Sequence, residues 1–288
     1  RSWSGVLAST VVFGFSIGLM GVAQNSLASA GATQNRRQQI LSGLHAMYGL
    51  ASLLAPLLVN MVAAMGGGWR EALQISVVPF LLLLIYCQFS LPRETGLHQN
   101  GGHRDQEIAP LSGRLLLGSI LALYVMAEIM VSSRLVRFLR LEAGFSPEDA
   151  NLQLTYFFLL LLFGRALFTL VRIPFSTSAQ MVASLVGTLV ALILGLWSSP
   201  FWLIFTGFTM APFYPLAINF MSEVYPRSIN GVLSVAMALQ SVSVVLMHLA
   251  VGSLTDFWGI RVALWVGPVS IAVSLLLLLN FLLRKKYG

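Results

Sequence analysis

Long apolar stretches follow one another along almost the whole of this 288-residue chain. A helix of about 20 apolar residues spans the ~30 Å hydrocarbon core of a bilayer. By this rule the sequence predicts nine membrane-spanning helices, at residues 6–29, 40–65, 72–91, 115–139, 152–171, 179–197, 201–220, 231–254 and 262–283. The sequence lacks the period-two alternation that a membrane barrel requires. The predicted fold class is therefore an all-α integral membrane protein, a bundle of about nine transmembrane helices.

The composition excludes a soluble globular protein. The chain is 57% hydrophobic and 9% charged, whereas a soluble domain carries roughly a quarter charged residues. Its net charge of +7 comes mostly from short connections and the C-terminus, without a basic stretch interleaved with stacking aromatics. The lipid bilayer is the expected partner, and no nucleic acid is expected.

One polar connection divides the chain unequally. Residues 92–113 are rich in glycine, histidine and charge, and they separate three predicted spans from six. We predict that residues 1–91 are the last three helices of an N-terminal six-helix half, and that residues 114–288 are a complete C-terminal half. With the C-terminus inside, ten Lys and Arg residues lie on the inner side and five on the outer side. This bias predicts a plasma (inner) membrane protein with a cytoplasmic linker and C-terminus.

An internal repeat supports this division. The segment GGGWREAL at 66–73 and the segment DFWGIRVAL at 256–264 are both short outer turns that open an apolar helix. Gly43 lies 27 residues before Arg70, and Gly231 lies 30 residues before Arg261. Parallel six-helix repeats are typical of one large transporter architecture. We therefore expect three further helices upstream of residue 1, and we expect that this chain does not transport alone.

Several motifs give the chain a resemblance to the major facilitator superfamily, in which it resembles helices 4 to 12. It is most similar to the fucose-permease-like branch, whose helix 5 follows the pattern LNxxHxxYGxGxxxGP. Here that helix reads LSGLHAMYGLASLLAP, with His45, Tyr48, Gly49 and Pro56 in place. The segments LYVMAE (123–128), LLFGRAL (161–167) and APFYPLAINF (211–220) resemble helices 7, 8 and 10 of that branch.

The resemblance implies a secondary active transporter of a small polar solute, with alternating access around a midplane site. A sugar carried by proton or sodium symport is the favoured expectation, in a monomeric protein. The alternative within transport is an exporter of drugs or other amphiphiles. A membrane-embedded enzyme or receptor would need a polar cluster of the catalytic or ligand-binding type at one membrane face. The sequence shows none, so no enzyme activity, cofactor or metal is expected.

Glu128 is the only carboxylate deep within a predicted span. A charge in mid-membrane costs ~2.5–3.5 kcal/mol on insertion scales and usually faces a cavity or a partner. Glu128 either binds a proton, a cation or the solute, or it is locked to Arg165 or a hydroxyl and holds helices together. Arg165 either binds an anionic group and favours ionisation of Glu128, or it extends to the cytoplasmic side. At 1.5 Å per residue, Glu128 lies roughly 20 Å from the inner surface and Arg165 roughly 10 Å nearer to it.

Other polar residues are candidates for contact with the solute. His45 and Tyr48 are three residues apart and share one face of helix 5, which borders the cavity in the resembling fold. Since helices 4, 7 and 10 line that cavity, the resemblance adds Gln24, Asn25, Tyr124, Tyr214 and Asn219. For all of these residues, a hydrogen bond that only joins two helices is the alternative.

Four features have more ordinary interpretations. Arg134 is expected to extend to the outer surface, and His248 is expected to be a packed core histidine. Pro212 and Pro215 remove backbone donors and should bend their helix, as a hinge or as a fixed kink. The histidines and the aspartate of the linker have no recognised metal-site spacing.

Overall fold

In this computed structural model, the described residues are 3–31, 33, 36–90, 109–171 and 173–287. Most of these residues lie in α-helices. The helices are α1 (Trp3–Gly31), α2 (Arg37–Ala64), α3 (Trp69–Ser90), α4 (Leu111–Glu142), α5 (Pro147–Leu170), α6 (Thr177–Trp197), α7 (Phe201–Met210), α8 (Phe213–Val224), α9 (Ile229–Trp258), α10 (Ile260–Ala263) and α11 (Val266–Tyr287). Residues 92–108 of the predicted linker, with His98, His103 and Asp105, lie outside the described residues.

Eight helical stretches in these ranges are long and apolar enough to cross a membrane. They are Trp3–Ala28, Arg70–Phe89, Leu111–Glu142, Asp149–Leu170, Thr177–Trp197, Phe201–Val224, Ile229–Trp258 and Ile260–Arg284. The remaining predicted span, 40–65, coincides with α2, which has 28 residues. The all-α membrane fold is confirmed.

Capping residues set the ends of several helices. Ser146 precedes α5, its hydroxyl accepts the backbone N–H of Asp149, and Pro147 fills the first helical position. Ser176 caps α6 in the same way, through the N–H of Ala179. α9 ends at Gly259, whose φ of 82° is accessible to glycine but strained for other residues.

The described chain divides into two compact units. The smaller unit is Leu50–Glu107, described up to residue 90, and it contains the second half of α2 and all of α3. The turn between these helices depends on Gly66, which has a φ of 80°. The Glu71 carboxylate accepts the backbone N–H of Gly68 at 2.8 Å and so caps the start of α3.

The larger unit contains Arg1–Gly49 and Ile108–Gly288, and α4 lies at its centre. α4 packs against α9 and α11, α5 packs against α7, and α6 packs against α7 and α11. Serine hydroxyls join these helices: Ser243 donates to the carbonyl of Ala122 at 2.9 Å, and Ser274 donates to that of Ile120 at 2.8 Å. Such bonds suit a membrane bundle, in which hydrocarbon offers no competing partner.

The predicted span 201–220 is interrupted at Ala211 and Pro212, between α7 and α8. Pro212 has no N–H, so it cannot donate to the fourth residue before it. Two side chains satisfy backbone carbonyls at the break: Tyr124 donates to Met210 at 2.8 Å, and Ser184 donates to Thr209 at 2.6 Å. The helix is therefore interrupted at Pro212, and the carbonyl of Phe208, which Pro212 leaves without its usual donor, accepts the N–H of Ala211.

Within the larger unit, α1 and the start of α2 contact the other helices near the predicted cytoplasmic end. A Cβ placed on Gly21 of α1 would lie 3.7 Å from the Met237 sulfur of α9. A Cβ on Gly49 of α2 would lie 3.4 Å from the Cβ of Leu162 in α5. By contrast, the first half of α1 is almost entirely exposed. Within this unit, α1 therefore lies against α9, and the start of α2 lies against α5.

Candidate solute and coupling site

A buried ion pair joins α4 to α5. Nη2 of Arg165 lies 3.1 Å from Oε1 of Glu128. Arg165 is 2% exposed and Glu128 is 7% exposed, so both charges are removed from solvent. The low effective dielectric of such a site strengthens the attraction, which must offset the desolvation of both ions.

The depth difference predicted for these two residues does not keep their side chains apart. Counting residues along each helix placed Arg165 roughly 10 Å nearer to the inner surface, a gap that its side chain would close only in part. The structure closes it completely, with a contact of 3.1 Å. Residue counts treat every helix as untilted and treat neighbouring helices as ending at one level. Helices in a packed bundle meet neither condition.

Arg165 also contacts the backbone of α2. Its Nη1 donates to the carbonyl oxygen of His45 at 3.2 Å, and its guanidinium carbon lies 5.7 Å from the ring centroid of Tyr48. Nε of Arg165 is buried and has no hydrogen-bond partner among the described residues. The arginine therefore links the carboxylate of α4 to a main-chain atom of α2, and the N–H at Nε is left without a partner among the described residues.

His45 connects α1 to α8. Its Nε2 lies 3.1 Å from Oδ1 of Asn25, and its ring centroid lies 4.4 Å from that of Tyr214. The Tyr214 hydroxyl in turn donates to Gln240 of α9 at 3.1 Å. We call Asn25, His45, Glu128, Arg165 and Tyr214 the central polar cluster.

The remaining candidates lie around or away from this cluster. Tyr48 is 51% exposed beside Arg165, and Gln24 is half-buried next to Asn25. Tyr124 is fully buried, donates to the Met210 carbonyl and stacks on Phe213 at 4.4 Å.

Asn219 lies in the middle of α8. It donates to Glu223 at 2.7 Å and to Thr177 at 3.3 Å. Tyr124 and Asn219 thus make the helix-joining contacts that their alternative interpretation describes.

Gln240 is not among the candidates predicted from the sequence, and the prediction that His248 is a packed core histidine is wrong. Gln240 accepts the hydroxyl of Tyr214, a relationship visible only once α8 and α9 are placed side by side. His248 is exposed rather than packed in the core, and its Nδ1 lies 3.3 Å from Nη2 of Arg134. A histidine in an apolar stretch does not reveal from sequence which side of its helix is covered.

The central polar cluster combines the groups that bind a hydroxylated solute. It offers a carboxylate as acceptor, a guanidinium N–H as donor, and an imidazole beside a phenol ring. A carboxylate of this kind can also hold a proton or a small cation. No group of three or more histidine, cysteine or carboxylate side chains suited to a metal occurs in the described part of the chain.

The helix arrangement and this cluster define an all-α membrane protein with the major-facilitator fold. Among solved structures, the chain is similar to the crystal structure of a major facilitator superfamily transporter, FucP, in the outward conformation. The TM-score is 0.67 at 14% sequence identity, and the match covers 90% of this chain and 71% of that chain. No protein-family model matches this sequence, and no curated protein matches it. At this identity, the likeness shows the fold.

Proposed function

We propose that this chain belongs to a secondary active transporter that moves a small polar solute by alternating access. Residues 1–91 would supply part of one helical half, and residues 114–288 the other half. A monomer in the plasma (inner) membrane, with its C-terminus in the cytoplasm, suits the distribution of Lys and Arg. The major-facilitator fold supports a transporter, and the central polar cluster supports a hydrophilic solute.

The observation that carries this proposal is the buried pair of Glu128 and Arg165, with its contact to the backbone of α2. Well-packed apolar residues often replace a buried ion pair without loss of stability. An ion pair in mid-membrane is therefore more readily explained by function than by stability. In this chain the ion pair lies within the half formed by residues 114–288, and a second N–H of Arg165 extends it to the carbonyl of His45 in the other half.

Proton coupling fits the same geometry. When Glu128 is ionised, it holds Arg165 against the carbonyl of His45 and favours contact between α2 and α5. A proton on Glu128 removes that charge, and the guanidinium becomes available to the solute. Binding the proton and binding the solute would thus both weaken this contact between α2 and α5. We propose a sugar as the solute and a proton as the coupling ion, with sodium as the alternative.

Uptake into proteoliposomes tests this proposal. Full-length protein should accumulate a labelled sugar under an inward proton gradient. Glu128→Gln should abolish this accumulation but still permit exchange of the sugar across the membrane when no proton gradient is present. Glu142→Gln is the matched control, because Glu142 also pairs with an arginine, at 3.0 Å, but at an exposed site. Normal, pH-dependent accumulation by Glu128→Gln would refute the coupling role.

A second candidate function rests on a groove of about 450 Å³ between α5, α6 and α7. Its lining is mostly apolar and includes Phe168, Phe175, Phe208 and Pro212. An amphiphilic solute would suit such a surface, so export of drugs remains the alternative. Accumulation of fluorescent dyes in cells with and without the full-length protein separates the two candidates. Lower dye levels with the protein, without any sugar uptake, would favour export.

A further inference from the structure

A basic pair lies apart from the central polar cluster. Nη2 of Arg134 in α4 lies 3.3 Å from Nδ1 of His248 in α9. Arg134 is half-buried, and its Nε is buried without a hydrogen-bond partner among the described residues. His248 is exposed. A hydrogen bond to an imidazole nitrogen orients the guanidinium but leaves its charge uncompensated.

Two arginines elsewhere in the described ranges pair with carboxylates: Arg165 pairs with Glu128, and Arg261 pairs with Glu142. Arginines within membrane spans usually pair with a carboxylate or with backbone carbonyls. Arg134 instead meets a second basic side chain, so this position combines a positive charge with N–H donors.

The pair lies nearer to the predicted outer face than the central polar cluster does. His248 follows Met237 by eleven residues, which places the two side chains roughly 20° apart around α9. Met237 lies against Gly21 of α1 and 3.5 Å from the hydroxyl of Tyr214, a member of the cluster. Arg134 is six residues beyond Glu128, roughly 9 Å further toward the predicted outer face and roughly 120° around α4. On α9, the pair therefore shares the side that faces Tyr214.

We propose that Arg134 and His248 form a recognition site for the oxyanion of an acidic solute, a carboxylate or a phosphate. A guanidinium binds such groups through two parallel N–H donors. Because Nδ1 of His248 accepts from Arg134, the neutral imidazole carries its proton on Nε2, and the hydrogen bond at Nδ1 orients the guanidinium. This inference rests on the proposed transport function and narrows its substrate class to acidic sugars or similar anions.

A phospholipid headgroup offers the same phosphate chemistry, so the experiment must separate the two sources. We would measure equilibrium binding of glucuronate, glucose 6-phosphate and glucose to the full-length protein in detergent by calorimetry. The phosphorus of co-purified phospholipid would be measured in the same samples. The two acidic sugars should bind at least about tenfold more tightly than glucose, as expected for charge-assisted hydrogen bonds.

Variants test whether the preference for acidic sugars comes from Arg134 and His248. Arg134→Gln should remove the preference for acidic sugars, and Arg134→Lys should keep part of it, because lysine retains the charge without the planar fork. His248→Gln alters an exposed side chain and should reduce the preference about threefold without affecting folding. Arg137→Gln is the matched control, since Arg137 is an exposed arginine one turn along the same helix.

Each outcome decides the proposal. Equal affinity of the wild type for acidic and neutral sugars, including no binding of either, overturns it. A preference that survives both Arg134→Gln and His248→Gln overturns it as well. If Arg134→Gln lowers the bound phospholipid and leaves the sugar preference unchanged, the pair binds lipid and the proposal is wrong. Binding of glucuronate through Arg134 without any transport would refute the proposed function alone.

Discussion

Arg165 donates one N–H to the carboxylate of Glu128 and another to the backbone carbonyl of His45, at 3.1 Å and 3.2 Å. The guanidinium of this residue of α5 therefore contacts both α4 and α2. Its position makes the contact between α2 and α5 depend on the charge of a residue in a third helix. The predictions below begin from this arrangement and extend to the helix contacts around it.

Replacing one member of the buried pair should cost more than replacing both. Arg165→Gln leaves Glu128 as a buried charge without its partner, and such a loss typically costs about 3–5 kcal/mol. The double variant Glu128→Gln, Arg165→Gln removes both charges and should recover much of that stability. Thermal unfolding of the purified variants measures this coupling. Additive effects of the two substitutions would show that the pair contributes no mutual stabilisation.

The hydroxyl of Tyr124 should stabilise the break between α7 and α8. Tyr124→Phe leaves the carbonyl of Met210 without its side-chain donor, at a cost of about 1–3 kcal/mol. Tyr156→Phe is the control, because Tyr156 is exposed on α5. Both variants retain the aromatic ring, so a lower thermal midpoint for Tyr124→Phe alone assigns the effect to the hydrogen bond. Equal midpoints would show that this carbonyl needs no side-chain donor.

Gly207 should tolerate no side chain, because α5 and α7 approach too closely there. A Cβ at position 207 would overlap the carbonyl oxygen of Phe157. Gly207→Ala should therefore destabilise the protein by about 1–3 kcal/mol. Gly252→Ala is the matched control, since no described atom lies within 4 Å of a Cβ built there. In the control, alanine should stabilise α9 by about 0.5–1 kcal/mol, and the two thermal midpoints should shift in opposite directions.

A disulfide between α2 and α5 should stop transport reversibly. A Cβ on Gly49 would lie 3.4 Å from the Cβ of Leu162, close to the roughly 3.5–4.5 Å that disulfides prefer. The native thiol Cys87 would first be replaced by serine. In that background, oxidised Gly49→Cys, Leu162→Cys protein should lose uptake, and a reductant should restore it.

The two single cysteine variants are the controls for that experiment. Each should keep its activity under oxidising conditions. Full uptake by protein in which the disulfide has formed would contradict a transport cycle that separates α2 from α5 at these positions.

The helices themselves could be predicted well from the sequence. Apolar length alone located each span, because a bilayer imposes a minimum helix length that loops cannot imitate. The start of α4 at Leu111, four residues before the predicted 115, shows where this rule weakens. Helices extend past the hydrocarbon core into polar sequence, and hydropathy does not register that extension.

The candidate site could be predicted only in part. The scarcity of ionisable residues in the spans identified Glu128 and Arg165, and the helix 5 motif identified His45. Their joint contact required the positions of α2, α4 and α5 relative to one another, which residue spacing does not contain. The same limit explains His248, whose exposure depends on what covers one side of α9, and the contact of Asn219 in α8 with Thr177 in α6.

The bond from Arg165 to residue 45 ends on a main-chain oxygen and not on the imidazole. Every amino acid supplies that oxygen, so the hydrogen bond between α5 and α2 does not depend on which side chain occupies position 45. The imidazole instead contacts Asn25 and Tyr214, so a substitution of this side chain should change those two contacts and leave the link between α5 and α2 in place.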